Sequence, residues 1–223
     1  NINDFNHNKA YYSITRIRKN ILNQNSYIGF LNTNFNFRDV FSNVYALDGI
    51  FNSNESNLET SFQVAQSKVN GVAGEGYSLE LDYTSNNLKN VKYPFFIESW
   101  VRYDDFDKKF NIDYVGYLYR NNLKSLNVGI SLNSIKNVNN ISEASTVLQY
   151  IKSKNYNNVK LKEILSIDWQ AKLYNNWLIN IGSSETTSSY IDKLYDDYFY
   201  FNYFSNVEIK NIKIPGQKNY FIN

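Results

Sequence analysis

The chain of 223 residues contains no cysteine and no methionine, only two prolines and nine glycines, and a single histidine, His7. Without cysteine there is no disulfide scaffold, no thiolate metal centre and no thiol nucleophile. One histidine in an Asn-rich end supplies neither a histidine zinc site nor the rigidly held base of a Ser-His-Asp triad. Charge of one sign is lacking too. A formal net charge of +2 is far from the basic face that nucleic acid selects, so no nucleic-acid partner is expected. No run approaches the roughly 18–20 apolar residues of a membrane helix. The start, Asn1-Ile2-Asn3-Asp4-Phe5-Asn6, is not a signal peptide, which implies a processed chain or a portion of a longer one. The missing cysteines fit an exported protein.

What is present is aromatic. Tyr and Phe number 20 and 15, enough to cover a core and too many for a disordered polar chain. Asparagine is the commonest residue, as codon bias from an AT-rich genome produces without functional meaning. The length suits one large domain, taken as 1–223.

Alternation of period two is the clearest local signal. Tyr77 to Tyr83, Leu126 to Leu132 and Leu165 to Leu173 place apolar residues at every second position. Successive side chains of a strand point to opposite faces, so each segment has one oily and one wet side. Weaker strand candidates are Tyr11–Ile21 and Tyr27–Phe37, as a hairpin across Asn23-Gln24-Asn25. Others are Val44–Phe51, Leu58–Gln66, Phe95–Tyr103, Tyr114–Arg120, Trp177–Gly182 and Tyr198–Ile214. Connections rich in Asn, Ser, Asp and Gly suit turns. Ser142–Lys154 reads as a short helix or a loop. Gly71-Val72-Ala73-Gly74-Glu75-Gly76 lacks the Lys-Ser/Thr of a phosphate cradle and precedes a strand, so it reads as a flexible hairpin turn.

The expectation is an all-β protein of about ten to twelve strands. Two architectures fit. One is an antiparallel up-and-down barrel of the outer-membrane type, or part of one, with apolar residues outward and polar residues inward. The alternative is a jelly-roll β-sandwich. Alternation by itself does not separate them. Strands of nine residues or more, aromatics at strand ends and mid-strand charge on the wet faces tilt toward the barrel. Candidate lumen or groove residues are Glu80, Asp82, Glu98, Arg102, Asp168 and Lys172. Trp100, Trp169 and Trp177 are candidate sugar-stacking or interface aromatics, or plain core.

Asp105, Asp107, Asn111 and Asp113 form a weak candidate calcium cluster. Their spacing fits no EF-hand, and a solvated turn is the preferred reading. Glu80 and Asp82 share a strand face about 7 Å apart, within the broad range of glycosidase acid–base pairs, but any wet sheet displays such pairs. No enzyme, cofactor or metal is expected.

The segment Phe106 to Asn122 resembles a recurring segment in a family of uncharacterised bacterial proteins, many from Bacteroidetes. In that family a domain like carbohydrate-binding family 9 precedes a C-terminal outer-membrane barrel. Phe110, Asn111, Asp113, Val115, Gly116, Tyr117, Leu118, Arg120, Asn121 and Asn122 match the pattern in order. Tyr12–Thr33 with Arg16, Arg18, Ile28 and Gly29, then Tyr45-Ala46-Leu47-Asp48, Gly71–Leu81 and Asn175-Asn176-Trp177 agree in sequence, spanning roughly residues 10 to 195. The family's barrel is longer than this chain. The end, Asn219-Tyr220-Phe221-Ile222-Asn223, lacks the terminal aromatic of a completed barrel, so a shortened barrel or part of one is implied. The resemblance also favours turn and register roles for Asn111, Asp113 and Gly116.

The resulting expectation is a non-enzymatic outer-membrane barrel or barrel subunit serving as anchor, partner scaffold or solute path. Its partners would be the lipid bilayer or proteins of a larger assembly. The alternative is a secreted or cell-surface sandwich that binds glycan or forms part of a fibre or virion.

Overall fold

The structure, a computed structural model, describes residues 9–53, 57–85, 95–116, 118, 120–134, 140–174, 177–191 and 212–222. His7 and most of Tyr198–Ile214 lie outside the described residues.

No described residue is helical. Eleven strands form one antiparallel sheet in almost unbroken chain order, the first ten each pairing with their sequence neighbours. They are β1 (Tyr11–Asn20), β2 (Tyr27–Phe37), β3 (Val40–Asn52), β4 (Leu58–Val69), β5 (Val72–Thr84), β6 (Phe95–Phe106), β7 (Leu123–Ser134), β8 (Ile141–Lys154), β9 (Lys160–Leu173) and β10 (Leu178–Thr186), with β13 (Gln217–Ile222) beyond β10. A small second ladder joins β11 (Ser189–Ile191) to β12 (Ile212–Ile214). This is the up-and-down order. A jelly roll needs two Greek-key sheets packed face to face, and the single consecutive meander corrects that alternative. Among the described residues the ladder stays open, with β1 at one edge and β13 at the other.

Turn chemistry sets the hairpins. Asn70 and Gly71 both have positive φ, at 47° and 86°, between the directly paired Val69 and Val72. That is the two-residue mirror-image turn whose twist matches the flanking strands. The tip is therefore Asn70-Gly71 alone, and Val72–Gly76 already belong to β5. The Asn155 side-chain carbonyl accepts from the Asn157 and Val159 amides, each at 2.9 Å, closing the turn after β8.

Two expectations fail. Ser142–Lys154 is strand β8, not helix or loop. Its polar and apolar residues are mixed on both faces, which hides the period. Tyr114–Arg120 is not a strand, since Asp113–Gly116 is a turn. Tyr114 stacks on Phe35 of β2 instead of extending the sheet.

Candidate functional site

The register sorts every strand residue onto one of two faces, because directly opposed residues share a side. One face carries Phe30 and Leu47, Phe62 and Leu79, Leu81 and Val101, Ile130 and Leu148, and Ile167, as cross-strand neighbours. Most of these apolar side chains are exposed, Leu47 at 50% and Ile167 at 48%. No described residue covers them.

This apolar band crosses the ladder obliquely. The directly paired row Ile17, Phe30, Leu47, Val64, Tyr77 continues as Asp105, Lys124, Lys154 and Lys160. At the far side of the sheet the apolar row is Trp169, Ile181, Ile222, reached by moving roughly eight residues along the strands. With a rise of about 3.3 Å per residue and strands about 4.8 Å apart, the band is inclined by about 30° to the hydrogen-bonding direction.

Aromatic residues mark the edges of the band. Tyr77 and Tyr83 bracket it on β5, Phe95 and Tyr103 on β6, and Trp169 ends it on β9. The Tyr77 hydroxyl donates to Glu75 at 2.6 Å, Tyr103 to Asp105 at 3.0 Å and Tyr150 to Glu163 at 2.8 Å. Each ring lies on the oily side with its hydroxyl toward charge, the use to which amphipathic aromatics are put at a polar boundary. In the turn beyond β8, burial together with the adjoining Asp105 carboxylate, to which it donates, pushes the Tyr156 phenol well above the usual tyrosine range.

The opposite face is polar. Glu80, Asp82, Glu98, Arg102, Asp168 and Lys172 all lie on it. Glu80 and Arg102 are direct cross-strand partners joined at 3.0 Å. Asp82 lies opposite Trp100 and Glu59. Glu98 accepts from Ser131 at 3.2 Å and Asn133 at 3.0 Å. Glu98 and Lys172 also line one cleft of about 380 Å³ with Glu143 and Gln170. Asp168 lies opposite Gly182, three strands from Trp100 and apart from the Glu80–Arg102 pair. Arg16 and Asp48 add a second pair at 2.5 Å.

The three tryptophans have separate fates. Trp169 belongs to the apolar band. Trp177 stands in the turn before β10 and is 69% exposed. Trp100 lies on the polar face, flat over Gly129, where a Cβ would overlap the indole. Its Nε1 donates to Asn127, which also accepts from Gln149 at 3.0 Å. Gly49 with Phe62 and Gly182 with Phe221 repeat this aromatic-over-glycine pairing, which covers a bare strand position.

The suggested calcium ligands do not converge. Asp105 points to the band side and is held by Tyr103, Tyr156 and Lys124. The Asn111 side chain accepts from the Asp113 amide at 2.9 Å, a local turn bond. Among the described residues no group of three acidic, His or Cys side chains is placed to hold a metal ion.

Sequence reasoning missed the feature that organises the polar face. After β6 the chain turns back and lies across that face from β5 to β1. Phe110 is 4% exposed and packs with Ala46, Ala65 and Phe106. Gly74 and Gly76 leave the room: a Cβ on Gly74 would overlap the Lys109–Phe110 backbone, and one on Gly76 the Phe110 ring. The Asn111 amide donates to Ser67 at 2.9 Å. Tyr114 stacks on Phe35 with centroids 5.5 Å apart, and the Tyr12 hydroxyl donates to the Val115 carbonyl at 3.2 Å. At its base, Lys108 reaches Asn157 at 2.5 Å. The available signal was the run of small residues at Ala46, Ala65, Ser67, Gly74 and Gly76, too small for an ordinary packed face.

Comparison with protein-family models, curated proteins and solved structures gives no match for this chain.

Proposed function

We propose that this chain forms the wall of an outer-membrane-type β-barrel, non-enzymatic, with the apolar band toward lipid and the charged face toward a polar interior. The observation that carries the reading is the inclination of the band. A sheet that crosses a flat apolar slab with tilted strands must change which residues of each strand are oily as it goes round. The chain does so from Ile17 on β1 to Ile181 on β10. Membrane strands tilt by about 35–45°, close to the inclination found. Large exposed apolar patches mark interaction or membrane surfaces. Strands of 9 to 14 residues meet the length a tilted span requires, and an up-and-down ladder keeps every inner backbone group paired. Tyrosines at the band edge match interfacial aromatic girdles.

The test is membrane extraction of the protein expressed with its own export signal. Retention in the carbonate-washed pellet, with a gel mobility that changes on boiling, is the expected result. Release as a folded, β-rich soluble protein would overturn the proposal and turn attention to the exposed aromatics as a glycan surface.

A further inference from the structure

On the polar face, the segment from Asp107 to Gly116 forms a second layer, and its fixings are spread over β1 to β5. Phe110 is seated in the Gly74–Gly76 recess of β5 and against Ala65 and Ala46 of β4 and β3. Asn111 is bonded to Ser67 of β4, Tyr114 is stacked on Phe35 of β2, and Val115 is bonded to Tyr12 of β1. The segment thus lines one end of the polar face over five consecutive strands, β1 to β5. A wall of these eleven tilted strands closed on itself would measure about 20 Å from backbone to opposite backbone. A layer packed on a sheet stands about 10 Å above it. The side chains of the opposing wall take up most of the remainder.

From this geometry, and resting on the barrel reading above, we propose that Asp107–Gly116 is a built-in constriction that narrows one mouth of the barrel and excludes solutes of sugar size. The polar interior then opens chiefly at the opposite end, where Glu98, Glu143 and Lys172 line the cleft. Tyr114 and Val115 are the far anchors, and Phe110 is the central one. Pore width and lining decide what a channel passes, so freeing these anchors admits what the native chain rejects.

The chain has no cysteine, so engineered thiols report without background. Phe35→Cys with Tyr114→Cys, treated with a short bis-maleimide in the folded protein, is expected to give one internally bridged species. The pair Leu148→Cys with Tyr114→Cys, on opposite faces of the sheet, is expected to give none. Swelling of proteoliposomes in an uncharged trisaccharide then reads the mouth. The native chain should exclude the sugar. Phe110→Ala with Tyr114→Ala should swell roughly tenfold faster, with boiling-dependent mobility confirming that it is folded. Phe110→Ala in the thiol-pair background should return to exclusion when bridged, which keeps the test valid if the double alanine variant does not fold. Failure to bridge, or a native chain as permeable as the released one, overturns the constriction while leaving the barrel standing. Recovery of the native chain as a soluble protein removes both, and the bridging result then reports only where the segment lies.

Discussion

The two faces of the sheet are built from the same strands yet solve opposite problems. The apolar face carries Leu47, Leu79, Ile130, Leu148 and Ile167 with no described residue over them, while the charged face receives the second layer that buries Phe110. In a water-soluble protein the added layer covers the oily side, since burial of apolar area drives packing. Here the cover lies on the wet side, and it gains its grip through a local recess of Ala and Gly among charges. On the barrel reading, each side faces a different medium, and the added layer is positioned by shape more than by hydrophobicity.

The largest expected effect comes from emptying that recess. Phe110→Ala should destabilise the fold by about 3–5 kcal/mol, the usual cost of removing a buried Phe, read as a shifted urea midpoint in lipid or detergent. A change below about 1 kcal/mol would show that the inner layer does not contribute to stability. Next is the test of the bare face. Leu148→Arg should cost about 2–4 kcal/mol in a bilayer, whereas its neighbour Gln149→Arg, on the polar side, should stay within about 1 kcal/mol. Equal costs would erase the distinction between the faces. Smaller still, Arg102→Gln loses a partly exposed pair with Glu80 and should cost about 1 kcal/mol or less.

The smallest effect concerns pH. The Tyr156 phenol is held above its ordinary value by burial and by Asp105, so the folded state favours its neutral form. Its contribution to stability is complete below about pH 10 and is lost as the pH rises past that value toward the raised one. Tyr156→Phe should therefore flatten this part of the alkaline stability profile, measured by urea titration at successive pH values. An unchanged slope would show that the phenol titrates freely.

Much of the wall was legible because alternation is local. Tyr77–Tyr83, Leu126–Leu132 and Leu165–Leu173 fall in β5, β7 and β9, and all six candidate charges share one face. Strand β8 was hidden because Ser145, Val147, Gln149 and Ile151 mix characters on one side while Thr146 and Leu148 mix them on the other. The inner segment was illegible for a different reason. Tyr114 and Val115 have strand-like propensity, but their partners Phe35 and Tyr12 lie far away in sequence. No local pattern encodes a recess made jointly by Ala46, Ala65, Gly74 and Gly76.

That separation along the chain has a kinetic consequence. Consecutive pairing makes the sheet a string of hairpins, each able to form from neighbouring residues, and topologies of that kind assemble faster than those needing distant closure. The contact between Tyr12 and Val115 spans 103 residues and pays a larger loop-closure entropy. Complete docking of the segment requires β1 to β5 in register, so its contacts are satisfied only when those five strands are correctly paired.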